Sequence, residues 1–117
     1  MDEVSSGLDE YRQIMGEDNF RNFVNDLIDI LYTVSPMHFS QLKDAFREKD
    51  NTSFKRAAHS LKSSGLTFGA TEFASTAAEL EARGCLEDPD EIWNRITQCE
   101  MEFEKIKSAL EILRHEL

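Results

Sequence analysis

Residues 50–70 read DNTSFKRAAHSLKSSGLTFGA, and they predict an α-helix because they contain both a start and a stop signal and a helical repeat. Polar Asp50 and Asn51 start the helix, and Gly69 closes it, since glycine tolerates the left-handed conformation that ends helices. Between these ends, apolar residues recur at spacings of three and four, which predicts one buried stripe. The stripe consists of Phe54, Ala57, Ala58, Leu61, Gly65 and Phe68.

His59 lies away from this apolar stripe on the same helix. At about 100° per residue it is roughly 140° from the centre of the stripe, so we expect its imidazole to face solvent. Residues three and four apart are neighbours on a helix surface, which gives His59 four neighbours one turn away: Lys55, Arg56, Lys62 and Ser63. In a chain of net charge −10, three cations around one imidazole indicate a site for a negatively charged group such as a phosphoryl.

Two readings of His59 remain open on these residues alone. A surface histidine with basic neighbours is more often a solvated face without a role. Against this, the small residues Ser60, Ser63, Ser64 and Gly65 stand where better helix formers were available, which predicts close approach of a partner. A neutral imidazole is also a competent phosphoryl nucleophile near its unperturbed pKa of about 6.5, without an adjacent base.

Three helices are predicted on the amino-terminal side of this stretch. The first covers residues 8–15, with Ser6 as its cap. The second runs from about residue 19 to 33 and carries a stripe of large apolar residues that must be buried. Because Ser35 followed by proline is typical of a helix start, a third helix is predicted over residues 36–48.

Two more helices are predicted on the carboxy-terminal side. Thr71 caps the first, over about residues 72–83, and Gly84 stops it. Asp88 and Pro89 start the second, whose apolar residues alternate spacings of four and three to the end of the chain. Short loops between long helices make neighbours antiparallel. The predicted fold is all-α: an antiparallel four-helix bundle with a short extra amino-terminal helix and an additional short helical segment.

Composition excludes several classes of protein. The chain has 117 residues, 13 Lys and Arg against 23 Asp and Glu, and 40% hydrophobic residues, which predicts one soluble domain over residues 1–117 with residues 1–16 peripheral. No apolar run approaches the roughly 20 residues that span a bilayer. The net charge of −10 repels phosphate backbones and anionic headgroups, so we expect neither nucleic acid nor membrane as a partner. The isolated Cys85 and Cys99 suit a reducing compartment, and we expect a cytoplasmic protein.

The segment 59–65, followed by the tripeptide 68–70, resembles the signature of the histidine-containing phosphotransfer (HPt) domain family. Family members show His-x-Leu-Lys-Gly, then small residues and a Gly-Ala pair at this distance, on a helix of an antiparallel four-helix bundle. Segments 54–58 and 77–81 are also similar to the family, and the resemblance covers nearly the whole chain. Ser63 departs from the pattern, which usually has glycine there; we expect retained function.

The resemblance implies a phosphorelay intermediate of two-component signal transduction. His59 would accept a phosphoryl group from the aspartyl-phosphate of a response-regulator receiver domain and pass it to another receiver; a hybrid sensor histidine kinase is a further candidate partner. Lys62 would steady the phosphoryl oxygens. The receiver would supply Mg²⁺, so no cofactor or metal site is expected in this chain. With no glycine-rich phosphate loop, the protein is predicted to be a phosphocarrier and not a kinase enzyme.

Binding to the receiver is assigned to Lys55, Arg56, Ser63 and Leu66. The helical wheel places Leu66 about two turns from His59 and away from the core stripe, so we expect it at the centre of an apolar docking surface. The Ser63 hydroxyl is expected to bond back to the carbonyl four residues earlier and so need not protrude.

The alternative function is a non-catalytic helical interaction module that keeps this shape and only binds a receiver or another protein. A histidine and a lysine three residues apart on the exposed face favour phosphotransfer over that alternative. His38 and His115 lie on other predicted helices without metal-ligand spacing, and we interpret them as ordinary surface residues.

Overall fold

A computed structural model describes the backbone of residues 2–116 and the side chains of residues 8–116. The described backbone contains five α-helices and no strand, so the predicted all-α class is confirmed. The helices are α1 (Asp2–Met15), α2 (Glu17–Glu48), α3 (Asn51–Thr67), α4 (Thr71–Arg83) and α5 (Pro89–Glu116).

Helices α2 to α5 form the bundle. α3 packs against α2 and α4, and α5 closes the ring by packing against α4 and α2. The turns between them are short, so neighbours in the chain run in opposite directions. Lys49 (φ 57°) ends α2 and Gly69 (φ 69°) lies between α3 and α4, both in the left-handed conformation. α1 packs against α2 and α5, where it buries Leu8.

Three phenylalanine rings tie α2, α4 and α5 together in the core. The ring centroid of Phe39 lies 6.2 Å from that of Phe73 and 5.6 Å from that of Phe103, and the latter two are 5.9 Å apart. Each such aromatic pair adds about 0.5–1.5 kcal/mol beyond the burial of its area. This cluster fixes three of the four helices that surround the core.

Helix α3 follows the sequence prediction closely. The Asp50 carboxylate accepts hydrogen bonds from the Ser53 backbone N–H (3.1 Å) and hydroxyl (2.7 Å), which caps the helix as expected. Such a cap contributes about 1 kcal/mol. Every residue of the predicted stripe is buried: Phe54, Ala57, Ala58, Leu61, Gly65 and Phe68. The opposite face of α3 is therefore the one that solvent and partners reach.

The predicted interruption at Ser35 and Pro36 is wrong, because α2 is continuous from Glu17–Glu48. A proline inside a helix removes a backbone donor and costs about 3 kcal/mol or more locally. Here the core-facing residues Leu31, Ser35 and Phe39 are all buried and continue one stripe past the proline. Packing on both sides of Pro36 offsets the local cost, and the predicted separate helix over residues 36–48 is the second half of α2.

Two predicted caps are also wrong. α1 begins at Asp2, so Ser6 lies inside the helix. The N-cap of α4 is Ala70, and Thr71 is the first helical residue. Ala70 is buried and its N–H donates to the carbonyl of Gly65 at 2.8 Å, so the packed turn sets where α4 begins. At the other end of α4, Gly84 is the C-cap, as predicted.

Candidate functional site

His59 lies in the middle of α3, on the face turned away from the core. Its side chain is 58% exposed, and the expectation of a solvent-facing imidazole is confirmed. The buried residues nearest to it in sequence, Ala58 before it and Leu61 two residues after it, hold α3 in this orientation. The imidazole is therefore accessible to a partner without any change in the fold.

One carboxylate joins the two predicted catalytic side chains. His59 Nδ1 lies 2.9 Å from Glu81 Oε2, and Lys62 Nζ lies 2.8 Å from Glu81 Oε1. We call His59, Lys62 and Glu81 the acceptor cluster. The Glu81 carboxylate therefore neutralises the charge of Lys62. The sequence predicted three cations around His59 and did not predict this carboxylate.

The ionisation of Glu81 determines which imidazole nitrogen is free. Hydrogen bonding from Lys62 is the largest cause that lowers the pKa of Glu81, burial works against it, and the hydrogen bond with His59 lowers it further. An ionised carboxylate can only accept hydrogen bonds, so Nδ1 of His59 carries the hydrogen. The neutral imidazole then has its lone pair on Nε2. Nε2 is the nitrogen available as a nucleophile.

Close packing of α3 on α4 brings Glu81 to the histidine. A Cβ atom at Gly65 would lie 2.8 Å from Cδ2 of Phe73 and 3.1 Å from the backbone N of Ala74. Only glycine leaves room for this contact, because real Cβ contacts are not that short. Gly65 is buried, as its place in the apolar stripe predicted, and the close approach that it permits is that of α4.

The small hydroxyl residues also differ from expectation. Ser60 and Ser64 donate to the carbonyls four residues earlier, at 3.2 Å each, and Thr67 donates to the carbonyl of Ser63 at 3.0 Å. Ser63 is exposed, but within residues 8–116 its hydroxyl makes no bond to the His59 carbonyl, so that prediction is wrong. Ser63 thus leaves its hydroxyl in solvent beside the acceptor cluster.

The remaining predicted binding residues surround His59 without contacting it. Lys55 is half-buried near Gly84, and Arg56 is exposed on the side that faces α2. Among the described side chains neither forms an ion pair within 4.0 Å, so both cations are available to an anionic group. Leu66 is 61% exposed, which confirms its predicted orientation.

Glu81 is the site residue that sequence reasoning missed. It lies 22 residues after His59, on the next helix, so no local spacing connects the two. A usable signal was present: in an antiparallel pair of helices, residues equally distant from the connecting turn lie opposite each other. His59 lies eight residues before the last residue of α3 and Glu81 ten residues after the first residue of α4, so the two distances are similar.

The other histidines and the cysteines lie apart from the acceptor cluster. His38 is on α2, with Nδ1 3.4 Å from Gln41 Oε1, and His115 is near the end of α5. Cys85 and Cys99 are both free and buried. In the described residues there is no group of three His, Cys, Asp or Glu side chains that could hold a metal ion. No helix within residues 2–116 is long and apolar enough to span a membrane.

Comparison with known proteins gives one match. A protein-family model described as Hpt domain matches residues 26–115, which include the whole of α3 and α4 and the complete acceptor cluster. No curated protein and no solved structure matches the chain.

Proposed function

The chain belongs to the Hpt domain family, and from this premise we propose that it is a phosphorelay intermediate with His59 as its phosphoacceptor. Hpt domains are phosphocarriers of two-component signalling and not kinases, and they interact with receiver domains. The observation that carries the proposal is the exposed imidazole whose Nδ1–H is held by Glu81. This arrangement directs Nε2 toward an incoming phosphoryl group.

The proposed transfer begins at the aspartyl-phosphate of a receiver domain. The Nε2 lone pair attacks phosphorus, a P–N bond forms, and the bond from phosphorus to the aspartyl oxygen breaks, with the electron pair leaving on the aspartate carboxylate. The imidazole gains positive charge in this step. Glu81 accepts the Nδ1–H and so stabilises the charged ring where the charge develops. Attack by the aspartate of a second receiver reverses these bond changes.

Lys62 is proposed to exchange partners during transfer. Its Nζ donates to Glu81 in the free protein and lies one turn after His59. A phosphoryl group on Nε2 brings oxygens of higher negative charge within reach of the same ammonium, and charge-assisted hydrogen bonds of this kind are strong. We expect Mg²⁺ to be held by the receiver, where it offsets charge on the transferred group.

A panel of receiver domains, each phosphorylated with radiolabelled acetyl phosphate, tests the proposal. The expected result is transfer of label to this protein, in an acid-labile and base-stable form, and its complete loss in His59→Gln. His59 is exposed, so this change should alter the free energy of unfolding by no more than about 0.5 kcal/mol. His115→Gln is the matched control and should accept label at the parent rate.

Label on His38 or His115, or an unchanged His59→Gln variant, would overturn the assignment of His59. A receiver that binds the protein but labels no residue of it would favour the non-catalytic interaction module instead.

We also propose a cytoplasmic location. Two unpaired cysteines support it, because a reducing compartment keeps such thiols free. Burial raises the pKa of the Cys99 thiol to about 12, so it stays protonated and unreactive. Fractionation of cells that contain the protein would test this location, and recovery from an oxidising compartment would contradict it.

A further inference from the structure

A cavity of about 350 Å³ opens between α2 and α5, and we call it the α2–α5 cavity. All its lining residues belong to these two helices, so it lies on the side of the bundle opposite α3 and α4, which carry the acceptor cluster. Sites for small molecules have volumes of about 300–1,000 Å³. The cavity is therefore large enough for a small ligand and separate from the proposed site of phosphoryl transfer.

The floor of the α2–α5 cavity is aromatic. It is formed by Phe39 of α2 and Phe103 of α5, whose ring centroids are 5.6 Å apart, and Pro36 adds to the apolar lining. Both rings also contact the Phe73 ring in the core, which fixes their positions. Rings that are held in this way can pack against an aromatic ring of a ligand in an offset or edge-to-face arrangement. The floor thus favours a ligand with a flat apolar body.

Lys107 places its ammonium above this floor. Nζ lies 5.8 Å from the Phe103 ring centroid and 5.5 Å from the Tyr32 ring centroid, where a cation is attracted to the face of each ring. Its ion pair with Glu104 is 3.7 Å long, which is beyond hydrogen-bond distance. The ammonium therefore has N–H donors available to an anion that lies on the aromatic floor.

Positive charge is in excess in the α2–α5 cavity. Three basic and two acidic side chains line it, although the whole chain has a net charge of −10. Lys43 is paired with Glu100 across the two helices. Within the described side chains Arg47 pairs only with Asp44, at 3.3 Å, and Asp44 is not among the residues that line this cavity. A guanidinium has five N–H donors, so most of those of Arg47 remain available.

We infer that the α2–α5 cavity binds an aromatic carboxylate, with its ring on Phe39 and Phe103 and its carboxylate on the Lys107 ammonium. A charge-assisted hydrogen bond between an ammonium and a carboxylate is strong, and a neutral compound of the same shape cannot form it. The local excess of positive charge adds to this preference for an anion. The inference goes beyond the proposed function, because it assigns a second ligand to the protein and involves neither His59 nor a receiver.

Naphthalene-2-carboxylate is the probe, and naphthalene-2-carboxamide is its neutral counterpart of nearly the same shape. Each is titrated into the nitrogen-15-labelled full chain, and amide chemical shifts report both the site and the dissociation constant. We expect saturable shifts at residues that line the α2–α5 cavity and none around the acceptor cluster. The carboxylate should bind at least about fivefold more tightly than the carboxamide, because only the carboxylate pairs with an ammonium.

Lys107→Glu tests the carboxylate contact, and Lys105→Glu is its matched control. Lys105 is exposed on the same helix, does not line the cavity and forms no ion pair within residues 8–116, and both changes alter the net charge equally. Lys107→Glu should raise the dissociation constant of naphthalene-2-carboxylate at least about tenfold, since a contact to a charged group is replaced by repulsion. Lys105→Glu should leave it within about twofold of the parent value.

Arg47→Glu gives a second test that does not alter the Lys107 contacts with the rings. Arg21→Glu is its control, because each arginine is exposed on α2 and paired with an aspartate three residues earlier. Arg47→Glu should raise the dissociation constant about threefold at low ionic strength, and Arg21→Glu should change it less. Circular dichroism of all four variants establishes that they are folded.

Several results would overturn the site. Equal affinity for the carboxylate and the carboxamide would contradict recognition of an anion. Equal loss of affinity in Lys105→Glu and Lys107→Glu, or in Arg21→Glu and Arg47→Glu, would mean that the overall charge of the protein and not the cavity attracts the probe. Absence of saturable shifts up to about 10 mM probe, or shifts confined to other surfaces, would exclude the α2–α5 cavity as a binding site.

Discussion

The two flanks of α3 differ in how closely they meet their neighbours. Toward α4, Gly65 lies against the Phe73 ring and the Ala74 backbone, and Glu81 contacts both His59 and Lys62. Toward α2, cavities of about 160 and 430 Å³ separate the helices at the surface. α3 packs against both neighbours, but the glycine contact and the ion pairs lie on the α4 side and the surface cavities on the α2 side.

The proposed role of His59 as a phosphoacceptor has two requirements. The imidazole must be oriented, and it is oriented from the α4 side, where a buried glycine allows the carboxylate-bearing helix to come near. It must also be accessible, and the His59 side chain is 58% exposed to solvent.

Gly65→Val should have the largest effect, on the α4 flank. Its branched side chain would overlap Phe73 and the Ala74 backbone, and overpacking of this kind costs about 1–3 kcal/mol. Urea unfolding should show a lower midpoint. The exposed neighbour Ser63→Val should change the free energy of unfolding by only about 0.5 kcal/mol. Equal stability of the two variants would mean that α3 and α4 are not in close contact.

Glu81→Gln should have the next largest effect, on transfer and not on folding. A neutral amide no longer fixes the hydrogen on Nδ1, so transfer should slow at least about tenfold, as expected when a histidine loses the carboxylate that sets its tautomer. Nitrogen NMR of the His59 ring should show loss of the Nδ1–H form. Glu79→Gln is the control, because Glu79 pairs with Arg83 and Arg95 away from His59. Parent behaviour in Glu81→Gln would remove Glu81 from the site.

The pH dependence of stability tests the pairing of Glu81 with Lys62 and His59. The folded state lowers the pKa of Glu81, so its pairing stabilises the fold above the ordinary carboxyl pKa. This contribution is lost as pH falls through the lowered pKa. Thermal unfolding between pH 7 and pH 3 should therefore show a smaller acid-induced decrease in Glu81→Gln than in the parent. An identical decrease would contradict the pairing.

Lys62→Ala should have a smaller effect on transfer. Loss of one charge-assisted hydrogen bond to the phosphoryl group costs about 1.5 kcal/mol or less at a partly exposed site, so we expect transfer to slow about fivefold to tenfold. Lys43→Ala is a close control, because Lys43 is 28% exposed and ion-paired with Glu100, as Lys62 is 29% exposed and paired with Glu81. A Lys62→Ala variant with the parent rate would exclude Lys62 from phosphoryl binding.

Ser63→Gly should have the smallest effect. Its hydroxyl makes no bond to the His59 carbonyl, so only the difference in helix propensity, about 0.5 kcal/mol, should be lost. Transfer should be at least as fast as in the parent, since a bare backbone obstructs a partner less than a side chain does. Ser108→Gly, at an exposed position of α5, should show the same small decrease in melting temperature without affecting transfer. Slower transfer in Ser63→Gly would show that the hydroxyl assists it.

The sequence predicted α3 well because local rules and packing agree there. The Asp50 cap and the spacing of Phe54, Leu61 and Phe68 all favour the same helix and the same buried face. The exposure of His59 follows directly from that face. At Pro36 the local rule and the packing disagree, and the buried residues on both sides of the proline decide the outcome.

The sequence predicted two of the three residues of the acceptor cluster. His59 and Lys62 are neighbours on one helix, so spacing reveals them. Glu81 lies on α4, so its contact with them depends on the alignment of α3 and α4. That alignment depends on the close packing of Gly65 against α4. The helical repeat predicted that Gly65 is buried, but a wheel of one helix does not show which neighbouring helix covers each residue.

Pro36 should affect the local opening of α2 that amide hydrogen exchange measures. Pro36 has no N–H to donate to the carbonyl of Tyr32, so the ladder of backbone hydrogen bonds along α2 is interrupted there. Amide hydrogens exchange with solvent through local openings, and openings start where the ladder is weakest. The turns on either side of Pro36 should therefore exchange faster than those of α3, and the two halves of α2 should behave as separate units of protection.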